Sequence, residues 1–136
     1  MGTTPAQALG LLEQAAADGR LDELAERRRV AVLTVFGSAA RRDPSPRDLD
    51  VAVAFRPGGK EILALLDELS VLTGSDQVDL LDLDLAGPVA RERALVGCVA
   101  LYESEHGLMA RMRGQAIVQR MDTDWLRRLD LDLLAR

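Results

Sequence analysis

The sequence has a single cysteine, Cys98, and a single histidine, His106. One thiol cannot close an internal disulfide, and one thiol with one imidazole cannot supply a Cys/His zinc site. Positive charge is also short: the formal net charge is -5 and the pI is near 4.9. Non-specific nucleic-acid binders need a cationic surface to displace phosphate counterions, so a nucleic-acid polymer is not expected as partner. No apolar run approaches the roughly 18 residues of a membrane span, so no membrane association is expected. The first residues, Met1-Gly2-Thr3-Thr4-Pro5, lack the basic and then apolar stretches of a secretory signal, which implies a cytoplasmic protein. What is present is ordinary for a globular chain, 48% hydrophobic and 29% charged. At 136 residues it suits one domain, 1–136, able to bury roughly two-thirds of its unfolded surface. Chemistry must come from carboxylates, hydroxyls and basic groups. Cys98, Tyr102 and His106 read as structural or solvated positions.

The chain shows no repeat and no low-complexity tract, and its one Pro-rich stretch, Asp43-Pro44-Ser45-Pro46, is loop-sized. Pro5 suits a first helical turn, and Ala8, Leu11, Leu12 and Ala15 mark an apolar stripe that Asp18-Gly19 interrupts before Leu21 and Leu24 resume it; two short helices follow. Residues 30–36 are a continuous β-branched apolar run, which predicts a buried central strand stopping at Gly37. In residues 49–55, Leu49, Val51, Val53 and Phe55 alternate with Asp50, Ala52 and Ala54, the period of a strand. Pro57-Gly58-Gly59 turns into a helix striped by Ile62, Leu65, Leu66, Leu69 and Leu72 and ended by Gly74. Residues 77–81 predict a third strand, Pro88 to about Val96 a helix, and residues 98–102 a fourth strand. From about 104 to 134 the pattern is helical.

The informative segment is Phe36-Gly37-Ser38-Ala39-Ala40-Arg41-Arg42-Asp43, followed by the Pro-containing loop and then Asp48-Leu49-Asp50. A Gly-Ser between a buried strand and a helical turn offers close backbone approach, a hydroxyl and N–H groups, all suited to phosphate oxygens. Asp48 and Asp50, two apart in extended chain, direct both carboxylates to one side, where they can share hard cations. Asp79, between the apolar Val78 and Leu80, is costly there unless a cation or hydrogen bonds compensate it. Arg41, one helical turn from Ser38, can reach a triphosphate. Taken singly, Gly37-Ser38 is an ordinary turn, the Asp pair a strand entry, and Arg41-Arg42 a solvated basic face. Together the four fixed positions, at about 7% frequency each, arise by chance in few chains of this size.

In these residues the chain resembles the minimal nucleotidyltransferases of the DNA polymerase beta superfamily, which carry a Gly-Ser, a spacer, an Asp-x-Asp and a third carboxylate on a neighbouring strand. The resemblance runs from about Leu21 to Tyr102. It implies an α/β (α+β) nucleotidyltransferase fold: a mixed four-stranded sheet flanked by helices, with a catalytic unit at about 21–103 and a C-terminal helix at about 104–134. It also implies two Mg²⁺ ions on Asp48, Asp50 and Asp79, and ATP held by Gly37, Ser38 and Arg41. Many small members are antitoxins that silence a HEPN ribonuclease toxin by moving AMP from ATP onto a toxin tyrosine, and the resemblance implies that activity here. Alternatives within its reach are AMP transfer to a small molecule of aminoglycoside type and a non-catalytic antitoxin acting by contact alone. Two features depart from the family pattern. Nine residues separate Ser38 from Asp48, one fewer than is usual, and Arg42 stands where such domains often have Gly.

Val118, Met121, Trp125 and Leu129 recur at spacings of three and four and share one helical face. That stripe either packs on the protein's own sheet or docks a helical toxin or a second copy of the chain, making a homo-oligomer. Trp125 is the only tryptophan, a residue type favoured at binding hot spots.

Overall fold

The computed structural model describes residues 2–134. Helix α1 (Pro5–Asp18) opens on a capping box: Thr4 Oγ1 accepts from the Gln7 N–H at 3.2 Å, and the Gln7 side chain accepts from the Thr4 N–H at 3.1 Å. Gly19, at φ 90°, ends α1 and starts α2 (Arg20–Arg27), so the predicted break produces the two helices. The buried face of α1 is turned slightly from the expected stripe. Leu9 is buried with Ala8, Leu12 and Ala15, while Leu11 is 37% exposed.

Strands β1 (Val30–Phe36), β2 (Leu49–Phe55), β3 (Val78–Asp82) and β4 (Val99–Glu103) form one mixed sheet in the order β3-β2-β1-β4. β1 runs antiparallel to both β2 and β4, and β2 runs parallel to β3. The apolar run of β1 thus occupies a central position, as its composition requires. The alternation in β2 divides the molecule. Leu49, Val51, Val53 and Phe55 enter a core shared with α1, α2 and α4 (Ile62–Thr73), which Gly74 ends at φ 67°. Ala52 and Ala54 face a second core completed by Ala94 and Leu95 of α5 (Pro88–Leu95) and by Met109 and Ala116 of α6 (Leu108–Leu134). The small alanines allow α5 and α6 to approach this face closely. α5 is seated on β1 by Thr34, whose buried hydroxyl donates to the Ala94 carbonyl at 2.9 Å. A four-residue helix, α3 (Gly37–Ala40), connects β1 to the loop before β2 and buries Ala39 on the α1 side.

The last helix starts later than its pattern suggested, at Leu108, because Gly107 adopts φ 90° and the Glu103 carboxylate accepts the Met109 N–H at 3.0 Å. Among the described residues, its buried positions, Met109 and Ala116, lie in its first half. Val118 (58% exposed), Met121 (65%), Trp125 (63%) and Leu129 (41%) face away from the sheet, so the stripe does not pack on it. No helix among the described residues is long and apolar enough to cross a membrane.

Candidate active site

The sequence-predicted residues collect at one end of the central strands, where β1 leaves the sheet and β2 and β3 enter it. Phe36 lies opposite Asp50, and Asp50 lies opposite Asp79. Neighbours in parallel register project to the same face, so these two carboxylates share the α5 side of the sheet with Ala52 and Ala54. Asp48 is exposed and stands immediately before β2. Asp79 is not buried as its apolar neighbours suggested. β3 is an edge strand, and this residue faces solvent beside a half-buried Leu80.

Gly37 explains how the turn and the carboxylates are coupled. Its φ is +75°, and a Cβ there would lie 2.5 Å from Asp50 Oδ2. The glycine is therefore needed for close approach to Asp50 itself, and for a left-handed backbone that side chains disfavour. The space a side chain would fill is occupied by the carboxylate rather than held open for phosphate.

Partial burial raises the Asp50 carboxyl above its ordinary value, and the nearby Asp79 and Asp48 push it further the same way; the positive charges of Arg93 and Arg41 oppose them. Two neighbouring carboxylates thus act on Asp50 at this end of the sheet. Among the described residues, no three His, Cys, Asp or Glu side chains converge closely enough to enclose a metal ion as they stand. The donor chemistry nonetheless fits a hard divalent cation: all three groups are oxygen donors, and a dication would relieve the mutual repulsion that loads Asp50.

Ser38 is half-exposed in α3, and its hydroxyl has no partner among the described residues. Arg41 is exposed and turned to Asp43, with Nη2 to Oδ2 at 3.2 Å, so its guanidinium reaches Asp50 only through its field. Arg42, which replaces the customary glycine, takes φ 58°. The chain keeps the left-handed bend and carries its strain with an arginine, whose side chain meets Glu13 of α1 at 3.4 Å. The sequence reading missed Arg93. Its signal was present in the Pro88 start and the Gly97 stop, which place a basic residue in the last turn of α5.

Against known proteins, the polymerase beta nucleotidyltransferase family matches residues 20–106. This chain belongs to that family. A solved structure described as a minimal nucleotidyltransferase is 32% identical, with 67% of this chain and 94% of that chain covered and a TM-score of 0.51. Two complexes are similar in fold. One is a toxin–antitoxin crystal structure with AMP-PNP, at 18% identity, 88% and 98% coverage and a TM-score of 0.67. The other is the tri-AMPylated Shewanella oneidensis HEPN toxin with MNT antitoxin, at 19% identity, 91% and 99% coverage and a TM-score of 0.64. No curated protein sequence matches the chain.

Proposed function

We propose that this chain is a magnesium-dependent adenylyltransferase that moves AMP from ATP to a tyrosine hydroxyl of a HEPN-type toxin, and so acts as its antitoxin. The observation that carries the reading is the side-by-side pairing of Asp50 and Asp79 on one sheet face, with Asp48 at the same strand end and Gly37 packed over Asp50. The printed descriptions of the similar complexes, one holding AMP-PNP and one a tri-AMPylated toxin, supply the nucleotide and partner classes.

Asp48, Asp50 and Asp79 would hold the magnesium, which when bound neutralises phosphate charge and lowers the pKa of a hydroxyl. Ser38 donates its free hydroxyl to the terminal phosphates, and Arg41 swings from Asp43 to the same charge, an exchange of one weak surface pair for a stronger guanidinium–phosphate contact. The acceptor oxygen forms a bond to the α-phosphorus in line with the departing bridging oxygen, and pyrophosphate leaves. Asp79, exposed on the edge strand, takes the acceptor side, where a carboxylate can receive the hydroxyl proton. The outward face of α6 around Trp125 docks the partner and presents its tyrosine to this edge.

Incubation with Mg-ATP and a purified HEPN-type toxin, followed by intact-mass and peptide analysis, tests the reading. Added AMP on a toxin tyrosine supports it. An unmodified toxin that is nevertheless inhibited would favour masking by contact alone, and AMP on an aminoglycoside instead would redirect the acceptor assignment.

A further inference from the structure

Resting on the function proposed above, we infer that Arg93 is a phosphate-binding residue of the nucleotide site, reaching the substrate from α5 while Ser38 and Arg41 reach it from the loop. The placement follows from how α5 is fixed. Ala94 and Leu95 are fully buried in the second core, and the Ala94 carbonyl is held by Thr34 on β1. Thr34 lies opposite Ala52 of β2. Asp50 is two residues along β2 from Ala52 on the same face, a displacement of about 7 Å. The end of α5 is therefore anchored within a side-chain length of the carboxylate end of the sheet. α3 and its loop lie on the other side, where Ala39 joins the core around α1.

The other arginines near α5 have structural partners. Arg91 donates to the Leu83 carbonyl, Arg113 to the Leu95 carbonyl at 2.8 Å, and Arg120 to Asp124. Arg93 is exposed and has no hydrogen bond or ion pair among the described residues. Its charge is nevertheless felt by Asp50. A cation anchored a side-chain length from the Asp50 end of the sheet, yet bonded to no carboxylate among the described residues, can serve an anion brought there. A guanidinium offers a planar fork of donors that matches two phosphate oxygens at once, which an ammonium cannot copy. Because Arg93 is the last basic residue before two buried anchors, its backbone is fixed while its side chain is free, the combination a substrate contact needs.

Calorimetric titration of Mg-ATP, and separately of magnesium tripolyphosphate, into the parent, Arg93→Gln and Arg93→Lys tests the inference. The inference predicts that Arg93→Gln weakens both ligands about tenfold, that Arg93→Lys recovers part of the loss, and that neither change moves the melting temperature. Equal affinities for the parent and Arg93→Gln would overturn it while leaving the functional reading intact. A loss confined to ATP would also overturn it, because the contact would then lie on the base or sugar. A parent that binds neither ligand would overturn the functional reading and this inference together.

Discussion

At the level of single residues, the candidate site was legible where position depends on residue type and spacing. Gly37, Ser38, Asp48, Asp50 and Asp79 were all marked by sequence, and the fold brings the two strand aspartates into direct register. What could not be read was orientation. Gly37 looked like a phosphate approach and is the contact surface of Asp50, while Arg93 had no spacing rule to flag it. Gly37→Ala should therefore cost about 1–2 kcal/mol from the left-handed backbone alone. It should also lower AMP transfer at least tenfold by displacing the Asp50 carboxylate; thermal melts and a transfer assay measure the two effects separately. Arg42 poses the converse case, a side chain held at φ 58°. Its pairing with Glu13 is exposed and weak, so backbone strain decides the outcome. Arg42→Gly should be more stable than Arg42→Ala by about 1 kcal/mol, and denaturant unfolding in which the two variants coincide would show that the bend is unstrained.

Among the elements, those with one buried face were read correctly in type, and their ends shifted where a glycine or cap intervened. α2 and α4 are tied by a charged cluster that no periodicity announces. Arg27 and Arg28 each bond Glu68 at 2.5 Å, and Arg28 also bonds Glu61 at 2.9 Å. Burial pushes the Glu68 carboxyl up, but the hydrogen bonds from Arg28 and Arg27 outweigh it and hold the group below its ordinary 4.5. A depressed carboxylate stabilises the fold above its unfolded value, and the contribution fades as pH falls through the lowered one. Glu68→Gln should thus be less stable than the parent at pH 7, with the difference closing below about pH 4.5; melts across that range check it, and a pH-independent gap would contradict it. The outer half of α6 is the element whose role changed most. The amphipathic stripe was legible, but whether it turned inward depended on how far the helix extends beyond α5. With Trp125 63% exposed, Trp125→Ala should leave the monomer's stability within about 0.5 kcal/mol of the parent. If the face docks the toxin, the same change should weaken the complex by about 2 kcal/mol or more. Calorimetry on the purified pair decides between an interface and an idle surface.

For the molecule as a whole, the parallel pairing of β2 with β3 is what turns separate sequence signals into one site. It could not be derived from hydrophobic alternation, which fixes which face a residue takes but not which strand lies beside it. The family resemblance supplied that adjacency. The arrangement it produces is one in which function opposes stability. Asp50 is kept half-buried beside like charges, so its ionised form destabilises the metal-free fold. The most direct measurement of the account is AMP transfer from labelled ATP to the toxin by the parent and by the doubly substituted Asp48→Asn, Asp50→Asn protein, with metal-free melting temperatures recorded beside it. At least a hundredfold loss of transfer is expected, in a protein at least as stable as the parent. Transfer at the parental rate by the substituted protein would contradict it.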